Sequence, residues 1–424
     1  MNSNISASER TYLRELARKQ AEYAALPVMA QRRQMWYDLN DGHSGAGARP
    51  PVVIETWTFD RDFMPASVFR CSSETGRGIE EQLLRHVRNH ELLDDDKVIP
   101  DTFDSWWCVS IDDLGVKIPR ETVKDAQGIE TGYRFLHPIK DLEQDFHILR
   151  PAVCHVDRER TRQRQAFLEE LFDGLLRVRL VSGLMGNTSL TQRVIQLMGM
   201  EAFFTAMYDQ PAAVHRLMAY LRDNALRVMH WAEAEGLLRL NHEAADSNSS
   251  SGSLTTRLPA AGYTGPAARL RDLWGGAESQ ETVGISPEMF HEFCFPYYRD
   301  VCEPMGLLYW GCCEPAHPFW NDLRQLPHLK KVSISRWCDQ RFMGDALRGT
   351  DIVFSRKPDP GFLGVDTTLR EDAWAAHIRE TLEATRGVAV EFIVRDVYTV
   401  HADLTKPRRA VDIARREIAR HGRP

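Results

Sequence analysis

The chain has 424 residues, of which 43% are hydrophobic and 27% are charged, and its formal net charge is −7. This is the composition of an ordinary globular protein, and a chain of this length can bury most of its apolar surface. Its mild acidity disfavours nucleic acid as a partner, its apolar runs are too short for a membrane span, and its polar start lacks the apolar core of a signal peptide. We therefore expect a cytoplasmic protein.

The N-terminal half predicts a helical lead-in followed by irregularly spaced elements. Apolar residues at helical spacing among charged residues predict helix within residues 1–50. The run "VVIETWTF" (52–59) is rich in β-branched residues and predicts a buried strand. Residues 94–150 contain only short apolar pieces between acidic turns and support no firm assignment. Further elements are expected as a helix over 158–176, a strand over 177–183 and amphipathic helices between 194 and 236.

From residue 237 onward, predicted strands and helices alternate regularly. A long polar segment interrupts the pattern only after the first strand. This alternation predicts a parallel sheet, because each helix serves as the crossover between two parallel strands. The five predicted strands are "LLRLN" (237–241), "LLYWG" (307–311), "KKVSIS" (330–335), "DIVFS" (351–355) and "VAVEFIV" (388–394).

The pattern favours a closed (β/α)8 TIM barrel over an open doubly wound sheet. An open dinucleotide-binding sheet would carry a G-x-G-x-x-G loop after its first strand, and the sequence has none there. The length suits a barrel with insertions. We predict one barrel domain over residues 1–424, with 1–50 as a helical extension and 242–285 as a long active-site loop.

Polar or metal-binding side chains follow every predicted strand of the C-terminal half. Active sites of barrels form where the strands end, so these side chains should share one rim. They are His242, Glu243 and Asp246 after the first strand, Glu278 and Gln280 later in its loop, Cys312, Cys313 and Glu314 after the second strand, Arg336 after the third, Arg356 and Lys357 after the fourth, and Arg395, Asp396 and His401 after the fifth.

The adjacent cysteines Cys312 and Cys313 admit two interpretations. They are either small buried thiols or the source of a zinc-binding thiolate. In the second case His401 is a candidate ligand from another strand end, and His242 or Glu243 is another. No C-x-x-C spacing decides between the two interpretations.

Other candidate residues are equally open to a structural or a functional interpretation. Arg356 and Lys357 form either a solvated pair or a clamp for an acidic substrate. Glu278 and Gln280 are either exposed loop residues or groups that bind substrate and exchange protons with it. Tyr309 belongs either to the core or to the substrate pocket.

Several segments resemble the uroporphyrinogen decarboxylase superfamily, over roughly residues 190–415. They are "GISPEMFHEFCFPYYRDVCEPMGLLYWGCCEP", "AESQE" and "FSRKPDP", which are similar to the uroporphyrinogen decarboxylase-like subgroup. The resemblance implies a (β/α)8 barrel, and either decarboxylation of an acidic substrate or corrinoid-dependent methyl transfer. The Arg-Gln-Ala-Gly-Arg motif of the decarboxylases is absent. In the methyltransferases a His-x-Cys pair and a later Cys hold zinc. Here Cys313 matches the first of these cysteines, Gly311 replaces the histidine, and His401 lies near the position of the last cysteine.

We therefore predict a zinc-dependent methyltransferase or demethylase that moves a methyl group to or from a corrinoid or a thiol. The expected partners are a small-molecule substrate and a separate corrinoid protein. Neither nucleic acid nor a membrane is expected as a partner. A homodimer is compatible with the prediction. The alternatives are a metal-independent decarboxylase of a tetrapyrrole-like substrate and a non-catalytic barrel that binds a small molecule. The predicted roles are metal ligands for Cys313, His401 and Cys312, catalysis for Glu278 and Glu243, and substrate binding for His242, Asp246, Gln280, Tyr309, Arg336, Arg356 and Lys357.

Overall fold

A computed structural model describes residues 5–42, 49–124, 130–243 and 250–421. Its β-strands are β1 (Val52–Ile54), β2 (Thr102–Trp106), β3 (Val109–Asp112), β4 (Arg120–Lys124), β5 (Glu130–Phe135), β6 (Val153–Val156), β7 (Arg177–Val181), β8 (Trp274–Ala277), β9 (Leu307–Trp310), β10 (Leu329–Ile334), β11 (Val353–Arg356) and β12 (Val390–Val394). Its α-helices are α1 (Ala7–Ala24), α2 (Pro27–Asp41), α3 (Asp60–Phe63), α4 (Glu74–Arg88), α5 (Leu142–Asp145), α6 (Arg158–Phe172), α7 (Leu190–Met198), α8 (Met200–Asp209), α9 (Pro211–Ala234), α10 (Pro287–Phe293), α11 (Phe295–Cys302), α12 (Trp320–Leu323), α13 (Gln340–Leu347), α14 (Gly361–Gly364), α15 (Glu371–Ala384) and α16 (Thr405–His421). Within these ranges no helix has the length and apolarity that a bilayer crossing requires.

The largest sheet joins six parallel strands in the order β1-β12-β11-β10-β9-β8. Its register places Val53 opposite Ile393, and Ser355 opposite Glu391. Parallel neighbours need crossover connections, and helices α10 to α15 supply those from β8 to β12. The predicted alternation of strands and helices in the C-terminal half is therefore confirmed as a mixed α/β fold with a parallel sheet.

The described strands do not form the closed, continuously hydrogen-bonded barrel that the sequence predicted. β2 and β7 pair with each other as a separate parallel ribbon. The predicted strand at 237–241 is irregular. Beside the β8 edge, the Asn241 side chain takes the place of a neighbouring strand. Its amide nitrogen donates to the Trp274 carbonyl, and its oxygen accepts from the Trp274 N–H, each at 2.9 Å.

The β1 edge of the sheet is likewise bonded to side chains. The Asp96 carboxylate accepts from the Val52 N–H, and the Asp95 carboxylate from the Ile54 N–H, each at 2.8 Å. Unpaired strand edges must find other partners for their backbone groups, and carboxylates supply them here. At both edges of the sheet, therefore, side chains bond backbone groups that a neighbouring strand would otherwise bond.

Side-chain alternation gives the six-stranded sheet two different faces. One face carries Trp310, Phe354 and Phe392, which belong to the main apolar cluster with the helices. The opposite face, called the inner sheet face below, carries a smaller apolar cluster interspersed with polar residues such as Lys331, Ser355 and Glu391. That smaller cluster consists of Trp36, Leu39, Val53, Val98, Leu254, Val353 and Ile393.

Candidate active site at the carboxyl ends of the strands

A buried ion pair lies on the polar part of the inner sheet face. Lys331 Nζ is 3.0 Å from Glu391 Oε2, and both side chains are almost completely buried. Lys331 also donates to Ser251 Oγ at 2.6 Å, while Ser355 Oγ donates to Glu391 Oε1 at 2.5 Å. The Tyr309 hydroxyl is 3.0 Å from Ser355 Oγ. Buried charges are tolerated only when they are paired and hydrogen-bonded, and this network meets that condition.

Lys357 continues this network toward the end of β11. Its Nζ lies 3.1 Å from Ser355 Oγ and 5.3 Å from the centre of the Tyr309 ring. Burial lowers the pKa of Lys357 to about 7, although the Glu391 carboxylate opposes the shift. Lys357 can therefore both donate and accept a proton near neutral pH.

Arg395 follows β12 and is 8% exposed. Its Nε lies 3.3 Å from Asp396 Oδ2 and 3.7 Å from Glu55 Oε1. Neither Nε nor Nη1 has a hydrogen-bond acceptor in the part of the chain that the structure describes. Burial would lower the pKa of Arg395, but the Cys312 thiolate, Glu55 and Asp396 raise it, so the guanidinium stays charged. A buried cation with unfilled donors is a candidate contact for a ligand.

The two adjacent thiols lie where β9 ends. The chain turns at Gly311, whose φ of 97° lies in the left-handed region that glycine tolerates. The Sγ atoms of Cys312 and Cys313 are 3.6 Å apart, and Cys313 Sγ lies 3.3 Å from Asp396 Oδ2, so the single S–H of Cys313 faces two acceptors. Both cysteines are half-buried. The ends of β9 and β12 therefore meet at this pair.

The two thiols differ in acidity because of what surrounds them. The hydrogen bond from Cys313 lowers the pKa of Cys312, and the Arg395 guanidinium adds to this effect against the opposing effect of burial. The same hydrogen bond raises the pKa of Cys313, and burial raises it further. Cys312 is thus the more acidic thiol of the pair.

A carboxyl group with a shifted pKa lies beside the thiols. Glu314 is 1% exposed and accepts hydrogen bonds from the N–H groups of Ser279 and Cys312 at 3.0 and 2.9 Å. Burial raises the pKa of Glu314 to about 7, and the nearby Glu278 carboxylate adds to the shift. A carboxyl that titrates near neutral pH is suited to general acid–base catalysis.

Among the residues to which the sequence assigned a site role, Gln280 lies beside this cluster and five others belong to it. Glu278 follows β8, and its Oε2 accepts from the Gln280 N–H at 3.0 Å, so Gln280 lies next to it. The five are Cys312, Cys313, Glu278, Tyr309 and Lys357, whose contacts are given above.

Arg356 and Arg336 do not join the cluster. Successive side chains of a strand point to opposite faces, so Arg356 points away from Lys357. Its Nη1 donates to the carbonyls of Ile334 and Ser335 at 3.2 and 2.8 Å, and burial lowers the pKa of Arg356 to about 10. Arg336 is exposed and pairs with Asp359 at 2.7 Å.

The remaining predicted residues come from two loops. His242 is buried, its Nδ1 has no hydrogen-bond partner among the described residues, and burial lowers its pKa. Glu243 and His401 are exposed. Asp246 lies outside the described residues.

The thiol pair does not fit the predicted zinc site. Zinc usually takes four ligands, with sulfur at about 2.3 Å. Across the described ranges, no three His, Cys, Asp or Glu side chains are placed to share a metal ion. Asp396 is already paired with Arg395, whose positive charge opposes a second cation there. His401, predicted together with Cys313 as a metal ligand, is exposed and does not complete such a group among the described residues.

Three charged residues of the inner sheet face, Glu55, Lys331 and Glu391, have no role predicted from the sequence. A signal for them exists in the sequence. Glu55, Lys331 and Glu391 each interrupt a run of strand residues that should be buried on both faces. A charge in such a run requires a buried partner, so these residues predict an internal polar network.

The fold of this chain is similar to that of a solved structure, whereas its sequence matches no known family. No protein-family model matches the chain, and no curated protein matches it. The structure is similar to a solved structure described as a methyltransferase from Methanosarcina mazei, with a TM-score of 0.51 and 11% sequence identity. The superposition covers 92% of this chain and 99% of the other. At this identity the likeness shows a shared fold.

Proposed function

We propose that this chain is a methyltransferase whose nucleophile is the Cys312 sulfur. The observation that carries the proposal is the environment of Cys312, where the S–H of Cys313 and the Arg395 guanidinium favour the thiolate. The thiolate is the reactive form of cysteine, and a soft nucleophile suits attack on a methyl carbon. The fold shared with a methyltransferase supports this reaction class.

In the proposed step, the Cys312 thiolate attacks the methyl carbon of a bound donor. A bond forms between Sγ and carbon while the bond between carbon and the leaving group breaks. The leaving group keeps the electron pair of the broken bond.

Two further features are proposed, the methyl donor and the relation between the two groups of strands. We propose a methyl-corrinoid, presented by a separate protein, as the donor substrate, in line with the resemblance of "YWGCCEP" to the uroporphyrinogen decarboxylase-like subgroup. We also propose that the β2–β7 ribbon and the six-stranded sheet are two parts of one (β/α)8 ring. A cleft of 360 Å³, lined by Arg179 of β7 and Trp274 of β8, lies between these parts.

The transfer is tested with methylcobalamin as the donor. We expect the mass of one methyl group to appear on the peptide that contains Cys312. The Cys312→Ser variant should lose this modification, whereas Cys154→Ser, which removes a half-buried thiol on β6, should keep it. Methyl transfer at the wild-type rate in Cys312→Ser would exclude Cys312 as the nucleophile.

Metal analysis of the same samples tests the zinc-dependent form of the reaction. If the wild type contains about one zinc ion per chain and Cys313→Ala loses it, these thiols are metal ligands. The geometry leads us to expect that Cys313→Ala leaves the zinc content unchanged.

A second candidate function is decarboxylation of an acidic substrate, and Arg395 favours it. Its unfilled Nε–H and Nη1–H groups, together with Lys357, could hold a carboxylate without a metal. Release of CO2 from uroporphyrinogen, lost in Arg395→Gln and kept in Arg336→Gln, would support this function. Tight binding of that compound without turnover would instead support a binding protein.

A further inference from the structure

We propose that Cys312 and Cys313 together form a chelating site for a trivalent arsenic centre that carries one carbon substituent. This goes beyond methyl transfer, since the site would bind the arsenical whether or not a methyl group moves. The two thiols lie close together although their residues are adjacent in sequence. Adjacent side chains of an extended chain point to opposite sides. Here the turn at Gly311 precedes them, and their Sγ atoms lie 3.6 Å apart.

The backbone of the thiol pair is held in place from two directions. The Cys312 N–H donates to Glu314 Oε2 at 2.9 Å, and its carbonyl accepts from Ser333 Oγ at 2.7 Å. Glu314 is in turn held by the Ser279 N–H, which follows β8. Residues at the ends of β8, β9 and β10 therefore hold the Cys312 backbone in place. A site arranged before binding loses less conformational entropy when its ligand binds.

The spacing and the number of sulfurs select the class of ligand. Two sulfurs bound to one tetrahedral or pyramidal centre, at about 2.3 Å each, are roughly 3.5–4 Å apart, which matches the pair. A linear two-coordinate ion would need sulfurs about twice that bond length apart. Zinc needs two more ligands, which the described residues do not offer. An arsenic(III) centre with one carbon substituent needs only two sulfurs.

The chemistry of binding balances without an oxidant or a reductant. Two As–S bonds form and two As–OH bonds break. Each thiol proton leaves with one hydroxide as water, and arsenic stays trivalent. Asp396 Oδ2, which lies 3.3 Å from Cys313 Sγ, is placed to pass the Cys313 proton to the departing hydroxide. The product is neutral, so it adds no positive charge beside Arg395.

Binding of phenylarsine oxide to the reduced full-length chain tests the proposal. We expect one adduct per chain, located on the peptide of Cys312 and Cys313 and reversed by a dithiol such as 2,3-dimercaptopropanol. Cys312→Ser and Cys313→Ser should each weaken binding by about a hundredfold or more, because a chelate gains at least that from its second link. Cys154→Ser should bind as the wild type does.

Thermal unfolding of each variant shows whether the serine substitutions keep the fold. Equal affinity in a folded Cys313→Ser variant, or an adduct on any other cysteine, would overturn the chelate. Methylation of Cys312 is measured separately on the arsenic-free chain. A chain that methylates Cys312 and binds no arsenical would contradict only the chelate, and the reverse result would contradict only methyl transfer.

Discussion

The reactivity of a cysteine in this protein is decided by its neighbours. Cys294 and Cys302 are completely buried among apolar residues, and burial raises the pKa of both thiols. Cys312 has the same side chain, yet the Cys313 S–H and the Arg395 guanidinium lower its pKa. The difference follows from the hydrogen-bond donor and the positive charge, both of which favour the thiolate.

This difference predicts how Cys312 reacts with iodoacetamide. In Cys313→Ala the thiolate loses its hydrogen-bond donor, and alkylation of Cys312 at pH 7 should slow by about tenfold for each unit that its pKa rises. The pH at half-maximal rate should move upward, which a rate profile from pH 6 to 10 measures. Arg336→Met, at an exposed position on a neighbouring loop, should leave the profile unchanged.

Glu314 predicts a pH dependence of stability. Its pKa is raised from 4.5 to about 7, so between these values the folded chain binds more protons than the unfolded chain. The stabilisation from the protonated carboxyl is therefore present at pH 4.5 and is lost as the pH rises through 7, with a total on the order of 3 kcal/mol. Urea unfolding at pH 5 and pH 8 measures it.

Glu314→Gln is the variant that isolates this contribution. Its free energy of unfolding should fall less than that of the wild type between pH 5 and pH 8. A parallel fall in both proteins would show that Glu314 titrates at the same pH in the folded and unfolded chains.

At the scale of elements, the end of strand β9 depends on one glycine. Gly311 has a φ of 97°, and an added Cβ would lie 3.0 Å from the Ser333 Cβ. Gly311→Ala should destabilise the fold by about 1–3 kcal/mol, because an alanine is strained at this φ. It should also slow alkylation of Cys312, since Ser333 would have to move.

Gly349→Ala is the matched control for this prediction. Gly349 has a φ of 77°, and its added Cβ would meet no atom within 4 Å. Chemical unfolding should show a similar backbone strain, whereas iodoacetamide should react with Cys312 as in the wild type. Equal alkylation rates in both variants would show that the turn does not position the thiol.

The alternation of β11 shows what an element contributes to the candidate site. Arg356 and Lys357 are adjacent in sequence, and the sequence offered both as one substrate clamp. In the strand they face opposite sides, so that Lys357 joins the polar network while Arg356 bonds the carbonyls of Ile334 and Ser335. A strand can deliver only every second residue to one face.

At the scale of the whole molecule, the Lys331–Glu391 ion pair connects distant parts of the chain. It joins β10 to β12 across β11, and Lys331 also bonds Ser251 and lies 5.2 Å from the ring of Trp36 in helix α2. The pair therefore lies where the lead-in helices, the long loop and the sheet meet. Removing one partner would leave a buried charge unpaired.

We expect Lys331→Met to lower the free energy of unfolding by about 3–5 kcal/mol. The double variant Lys331→Met/Glu391→Met should recover most of this loss, since it removes both charges. Urea unfolding of the two single variants and the double variant measures the coupling. Additive losses would show that the two side chains are not coupled in the folded chain.

The sequence by itself determined the local elements of this protein. Helical periodicity and β-branched or apolar runs predicted the lead-in helices, strands β9 to β12 and the position of Cys312 at a strand end, because these signals act between residues close in the chain. Only the tertiary structure showed that "WGGA" forms strand β8, that 237–241 does not form a strand, and that Arg395, rather than His401, lies beside the thiols. Those features depend on pairing and burial between distant segments, and local periodicity does not indicate which distant segments come into contact.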